Sequence, residues 1–237
     1  MVEPVETSLY RWPAAAEFGR VVPKTKFYEH ASISSSVKDK FVADVRRITW
    51  AYKLAESTIN LQGSAEVPEI QVFEIEAKEA DVSETVLCAI DKAVRTPIIF
   101  EVSRGEGADR AVRMAAAHKL LGTGAPKLGL HFTTDWRPST AGRAPLPTAI
   151  DLTSLYIALL QPLTPVASRG GENLSDVVDR LTAVRALERE VAALERKLRN
   201  EPQLNRKVEL RRTLKAKQAT LAELTSATVS PALGNAK

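Results

Sequence analysis

A single cysteine, Cys88, occurs in 237 residues. That excludes an internal disulfide framework and matches a reducing compartment. Three histidines, His30, His118 and His131, stand far apart, so no zinc-like ligand spacing exists and no metal or other cofactor is expected. Cys88 lies between Leu87 and Ile90 on a helical apolar stripe, which reads as a small packed residue rather than a nucleophile. No apolar run approaches the roughly 20 residues needed to cross a bilayer. Residues 1–7 are acidic without an apolar stretch, unlike a secretory signal. A cytoplasmic protein with no membrane partner is the expectation. Phosphate-binding loops are missing too: Gly122-Thr-Gly124 has no following lysine and hydroxyl, so nucleotide hydrolysis of the Walker kind is excluded.

What is present supports a mixed α/β head over residues 9–168, preceded by a flexible stretch, 1–8. Hydrophobic residues make up 44% of the chain, enough for a real core. Trp12 and Phe18 would pin an irregular opening segment onto that head. Ser34-Ser-Ser36 caps a helix with Val37, Phe41 and Val45 at helical spacing. Ile48 to Tyr52 and Thr58 to Leu61 read as two short strands around a turn at Glu56-Ser57. Ile70 to Ile75 alternates as a strand. Ser83 opens a helix with Val86, Leu87, Ile90 and Val94 on one stripe. Pro97 to Val102 reads as a buried strand, Gly105 and Gly107 as a turn, and Val112 to Ala115 as its hairpin partner. A further strand is expected at Leu130 to Thr133, and a helix from about Asp151 to Leu160. The order of elements indicates an α+β mixed sheet.

Pro162, Pro165 and Gly170-Gly171 mark a boundary. Beyond it lies a helical arm, 172–225, with a disordered tail expected over 226–237. Val184, Leu187, Val191, Leu194 and Leu198 recur at 3-4-3-4 spacing, and Leu210, Leu214 and Leu221 continue the stripe after Pro202. This is coiled-coil spacing, satisfied by a helical hairpin, a kinked helix or a homodimer seam. The arm is strongly basic. Arg196, Lys197, Arg199, Arg206, Lys207, Arg211, Arg212, Lys215 and Lys217 are nine cations opposed only by Glu201 and Glu209, a local +7 in a chain of net +4. Such a patch suits nucleic acid or an acidic protein; the alternative is an ordinary solvated helix face.

One short constellation points to chemistry. Glu74, Glu76 and Lys78 alternate along one strand and so share a face. Glu76-Ala-Lys78 resembles the last element of the PD-(D/E)xK nuclease signature, in which a carboxylate helps hold a divalent metal and the lysine positions water. The upstream aspartate of that signature is absent, and the preceding segment offers only Asn60. The other reading is a solvent-facing row of salt bridges. Lys24, Lys26, Tyr28, Trp50 and Lys53 similarly read either as a basic-aromatic surface or as core aromatics flanked by surface lysines.

Several segments together carry a wider resemblance: Val22 to Tyr28, Ile48 to Leu54 with Thr58 to Asn60, and Glu69 to Phe73. Ala89 to Lys92 before Pro97 to Phe100, and Glu201 to Leu210, complete the set. With these the chain resembles a bacterial and archaeal family, domain of unknown function 4391, over most of its length. The resemblance implies companionship with helicases and DNA methyltransferases in restriction-like or antiviral defence loci, and supplies no catalytic residues. The expected function is therefore a non-enzymatic accessory subunit of such a complex. It would bind a helicase or methyltransferase, and DNA through its arm. The alternatives are a metal-dependent nuclease using Glu76 and Lys78 with Glu74, and a purely structural coiled-coil dimer.

Overall fold

The computed structural model of the chain describes residues 9–30, 33–121, 127–164 and 174–226. The flexible stretch expected over 1–8, the Gly122-Thr-Gly124 segment, the boundary at Pro165 to Gly171 and the tail beyond Ser226 lie outside them. The chain divides into two compact units, Met1–Pro165 and Val166–Lys237.

In the first unit a mixed sheet runs in the order β1 (Glu17–Val21), β2 (Val45–Leu54), β3 (Ile70–Ala77), β4 (Ile98–Arg104), β5 (Ala111–Leu120) and β6 (Lys127–Thr133), with β7 (Arg137–Pro138) added beside β5. Four short or medium helices accompany it: α1 (Lys24–His30), α2 (Ser35–Asp44), α3 (Glu56–Ile59) and α4 (Glu84–Ala93). α5 (Leu152–Leu160) completes the unit. All neighbouring strands pair antiparallel except β3 and β4. That parallel pair needs a crossover, and α4 provides it.

Strand alternation divides the core in two. Phe73, Ile75, Phe100, Val102 and Ala115 point to one face, where they are buried with Phe41 of α2 and Val86, Leu87 and Ile90 of α4. This is the stripe read from the sequence, and Cys88 sits half-buried within the same helix. Burial pushes its thiol above the ordinary range, so it is a poor nucleophile. The opposite face carries Ile70, Val72 and Ile99, all fully buried, together with Glu74, Glu101 and Ser103. α5 approaches that face, its Tyr156 hydroxyl donating to the Ala117 carbonyl of β5 at 2.6 Å. Asp151 opens α5 as its N-cap, accepting from the Ser154 amide at 2.7 Å.

One strand expectation fails. Ile48 to Tyr52 belongs to a single long strand, whereas Thr58 and Ile59 form the short helix α3. Thr58 turns the chain locally: its hydroxyl accepts from the Ala55 amide at 2.9 Å and donates to the Lys53 carbonyl at 2.8 Å. Asn60 then ends the turn in the left-handed region, φ 55°. Asparagine tolerates that conformation where a β-branched residue would not. Two glycines are needed as glycine. Gly19, φ 62°, lies where the β1–β2 register shifts, and Gly105, φ 71°, leaves no room for a Cβ against the Asp109 carbonyl at 2.6 Å.

The second unit contains α6 (Leu174–Asn200) and α7 (Leu204–Thr225), joined by a turn through Pro202. Arg180 donates to the Leu224 carbonyl at 3.0 Å, and Lys217 pairs with Glu190 at 2.8 Å. Residue numbers that rise on one helix as they fall on the other fix an antiparallel hairpin. Val184 is buried, and Leu187, Val191, Leu194, Leu198, Leu210, Leu214 and Leu221 are half-buried. The spacing read from the sequence thus marks the less exposed side of each helix.

Candidate nucleic-acid interface and head cleft

The hairpin turn brings most of the arm's cations toward one end, with Lys215 and Lys217 further along α7. Arg196, Lys197 and Arg199 close α6, and Arg206, Lys207, Arg211 and Arg212 occupy the opening turns of α7. An open groove of about 730 Å3 lies between the helices here, lined by Arg196, Lys197, Asn200, Arg206, Leu210 and Thr213, with Glu201 and Glu209 also on its walls. Arg196, Lys197, Arg199, Arg206, Arg211, Arg212 and Lys215 are exposed, whereas Lys207 and Lys217 are half-buried. Lys217 is partly neutralised by Glu190. Guanidinium groups on two helices flanking one groove form a surface suited to the spaced charges of a phosphate backbone.

Within the head, Glu74 and Glu101 lie side by side on the parallel pair β3 and β4. Glu101 is 4% exposed and fully engaged: Trp12 Nε1 donates to it at 2.6 Å, and Arg143 holds both oxygens at 2.7 and 2.8 Å. Arg143 also donates to the Tyr10 carbonyl at 2.8 Å, while the Arg11 amide donates to the Ala144 carbonyl and the Ala144 amide to the Leu9 carbonyl. The opening segment is thereby zipped onto the residues before α5, and Trp12 does pin it as its sequence suggested. Phe18 lies 4.2 Å, ring to ring, from Trp50.

Glu74 differs from its neighbour. It is half-buried and faces a cleft of about 250 Å3 lined by Glu101, Ser103, Arg110, Ser139 and Arg143. Burial, and then the charge of Glu101, pushes its carboxyl above the ordinary glutamate range. Arg110 reaches into the same cleft and contacts the Ser103 hydroxyl at 3.4 Å.

The three residues of the nuclease-like motif part company. Glu74 faces the cleft, Glu76 lies 4.0 Å from Arg47, and Lys78 follows the end of β3 and donates to the Val42 carbonyl of α2. Among the described residues no group of three or more His, Cys, Asp and Glu side chains is placed to hold a metal ion. The basic-aromatic candidates are drawn into the fold: Trp50 stacks on Phe73 and donates to Gln71, Tyr28 packs edge-on to Phe41, Lys24 donates to the Val45 carbonyl, Lys26 pairs with Glu29 and Lys53 with Glu69.

A family model described as a domain of unknown function (DUF4391) matches residues 11–221. The chain belongs to that family. No curated protein and no solved structure matches it. Because the DUF4391 match runs through both units, the basic hairpin is as much a part of the family's architecture as the sheet.

The head also hides a charged cluster that sequence reading passed over. Lys119 of β5 is buried against Asp91 of α4, whose other oxygen lies 3.1 Å from His131 Nε2 on β6. The Lys119 ammonium also donates to the carbonyls of Asp91, Val94 and Thr96 at 2.8, 2.8 and 2.9 Å. Burial lowers the Lys119 ammonium pKa, and the Asp91 charge opposes that shift. The ammonium satisfies carbonyls at the end of α4, so the cluster works as a structural clasp, closed to any substrate. A charged residue within the apolar stripe of α4, Asp91, was the available signal.

Proposed function

We propose that this DUF4391 chain is a non-enzymatic accessory subunit of a DNA-directed defence complex. Its hairpin arm binds nucleic acid, and its head docks on a helicase or DNA methyltransferase. The observation that carries the reading is the set of seven exposed cations on two antiparallel helices, three of which, Arg196, Lys197 and Arg206, line one groove. The 3-4-3-4 seam supports reading α6 and α7 as a coiled coil that stiffens this basic end. The choice of partner rests on the resemblance of the family to companions of those enzymes. Binding of labelled double-stranded DNA, titrated with salt, tests the arm: log K falls by about 0.9 per phosphate contacted for each decade of salt. A flat salt profile or no binding removes the nucleic-acid half of the proposal. Co-purification with a helicase or DNA methyltransferase tests the other half.

A second reading, the metal-dependent nuclease, draws on Glu74 and Glu76 sharing one strand face beside Glu101. It predicts manganese-dependent cleavage that disappears in Lys78→Ala. The engagement of Lys78 with the Val42 carbonyl weighs against it.

A further inference from the structure

The head cleft is built differently from a row of surface charges. Glu101 is saturated by Arg143 and Trp12, and Glu76 lies against Arg47. Glu74 instead turns its carboxyl toward open volume, with no hydrogen-bond donor from the described residues. Keeping a half-buried carboxylate without a donor is unfavourable, so a site that retains one is suited to a ligand that brings its own N–H groups. Donors line the same cleft: the Arg110 guanidinium and the hydroxyls of Ser103 and Ser139, beside Arg143, which is committed to Glu101. The cleft therefore asks for two adjacent N–H donors next to an acceptor on one small, rigid body. Among nucleobases only the Watson–Crick edge of guanine has that order, with N1–H and N2–H2 facing a carboxylate and O6 beside them for a guanidinium or hydroxyl. Adenine offers a donor then an acceptor, cytosine a donor and two acceptors, and thymine or uracil one donor between two acceptors. Unpaired bases are read on this edge when lifted out of a stack. A volume of about 250 Å3 accommodates a single base.

We infer that the cleft of Glu74, Ser103, Arg110 and Ser139 is a binding site for an unpaired guanine, held edge-on by the Glu74 carboxylate. The inference deepens the nucleic-acid reading above by giving the head a base-recognition role beside the phosphate-binding role of the arm.

The test uses the full chain and uncharged nucleosides, which make no demand on the basic arm. Saturation-transfer NMR and calorimetry compare guanosine with inosine, which lacks only the 2-amino group, and with adenosine, cytidine and uridine. Guanosine binds, and the other four bind more weakly by about tenfold or more, the penalty for leaving a buried polar group unpaired. Glu74→Gln, a substitution of the same shape checked for folding by circular dichroism, weakens guanosine by about tenfold and narrows the gap to inosine. Arg110→Gln at the exposed rim weakens it independently of any change in the sheet. Equal binding of guanosine and inosine, guanosine binding that survives Glu74→Gln, or no guanosine binding at millimolar concentration each overturns the inference. If DNA binds with a steep salt dependence while guanosine does not bind, this inference falls alone. If guanosine binds but DNA does not, it is the arm reading that falls.

Discussion

The head and the arm both carry many charges, and they hold them in opposite ways. In the head, Lys119 is enclosed by a carboxylate and three carbonyls, and Glu101 by a bidentate guanidinium and an indole N–H. Each buried charge has a fixed set of partners because removal from water would otherwise cost several kcal/mol. In the arm, Arg211 and Arg212 stand exposed on α7, and no ion pair engages either among the described residues. Charges that have been desolvated and paired define the fold. Charges left in water remain free to exchange counterions for a ligand. The same residue types thus serve structure in one unit and, in the function proposed above, recognition in the other, and the accessibility of each charge decides which.

The largest effect should come from breaking the clasp. Lys119→Met leaves Asp91 buried without its counter-ion, and thermal or denaturant unfolding should show a loss of about 3–5 kcal/mol. Replacing both partners, Lys119→Met with Asp91→Leu, should recover much of that loss. A double variant as unstable as the single one would mean that the helix carbonyls, rather than the ion pair, need the ammonium. Arg143→Met comes next. Glu101 keeps its Trp12 donor at 2.6 Å but loses both guanidinium bonds, for an expected loss of about 2–3 kcal/mol. Arg143 also ties the opening segment through Tyr10. Proteolysis near Trp12 should therefore accelerate in this variant and stay slow in wild type.

Charge reversal in the arm should do the opposite, changing binding without changing the fold. Arg211→Glu with Arg212→Glu should weaken double-stranded DNA by about tenfold or more and reduce the salt slope by about 2. Unfolding stability should move by no more than about 0.5 kcal/mol, as for other exposed positions. A large drop in stability would blur the contrast between the two units, because it would make these arginines structural.

How much of this could be read in advance depended on the range over which the physics acts. Patterns that repeat within one element were legible: the alternation of Ile70 to Ile75, the stripe of α4, and the 3-4-3-4 spacing of the arm all correspond to observed elements. Thr58 to Leu61 was misread because the Thr58 hydroxyl competes for local backbone groups, an effect that β-propensity does not register. The ionic clusters were illegible for another reason. Lys119 and Asp91 are 28 residues apart, His131 and Asp91 are 40 apart, and Arg143 and Glu101 are 42 apart. Nothing local says which lysine meets which aspartate; the sheet order decides it. Glu74 was singled out on the basis of Glu76 and Lys78, its neighbours in sequence. The residues that shape its surroundings, Glu101, Arg110 and Arg143, come from β4, the β4–β5 hairpin and the segment before α5.

The smallest expected effect separates the two units by pH instead of salt. The Glu74 carboxyl is pushed above the ordinary glutamate range by burial and by Glu101. Between its unfolded and folded values the native chain keeps a proton that the unfolded chain has already released. Stability from this group is therefore full below the unfolded value and declines as pH rises through the raised folded value. Glu74→Gln cannot ionise, so its stability should change less across that window and exceed wild type slightly on the alkaline side of it. Urea unfolding at a series of pH values from the ordinary carboxyl range to neutrality provides the comparison. Arg211→Glu with Arg212→Glu, in the other unit, should leave the Glu74 part of the profile in place. Identical pH profiles for wild type and Glu74→Gln would mean that solvent reaches this carboxylate freely, and the cleft would then lose the desolvation that makes it a site.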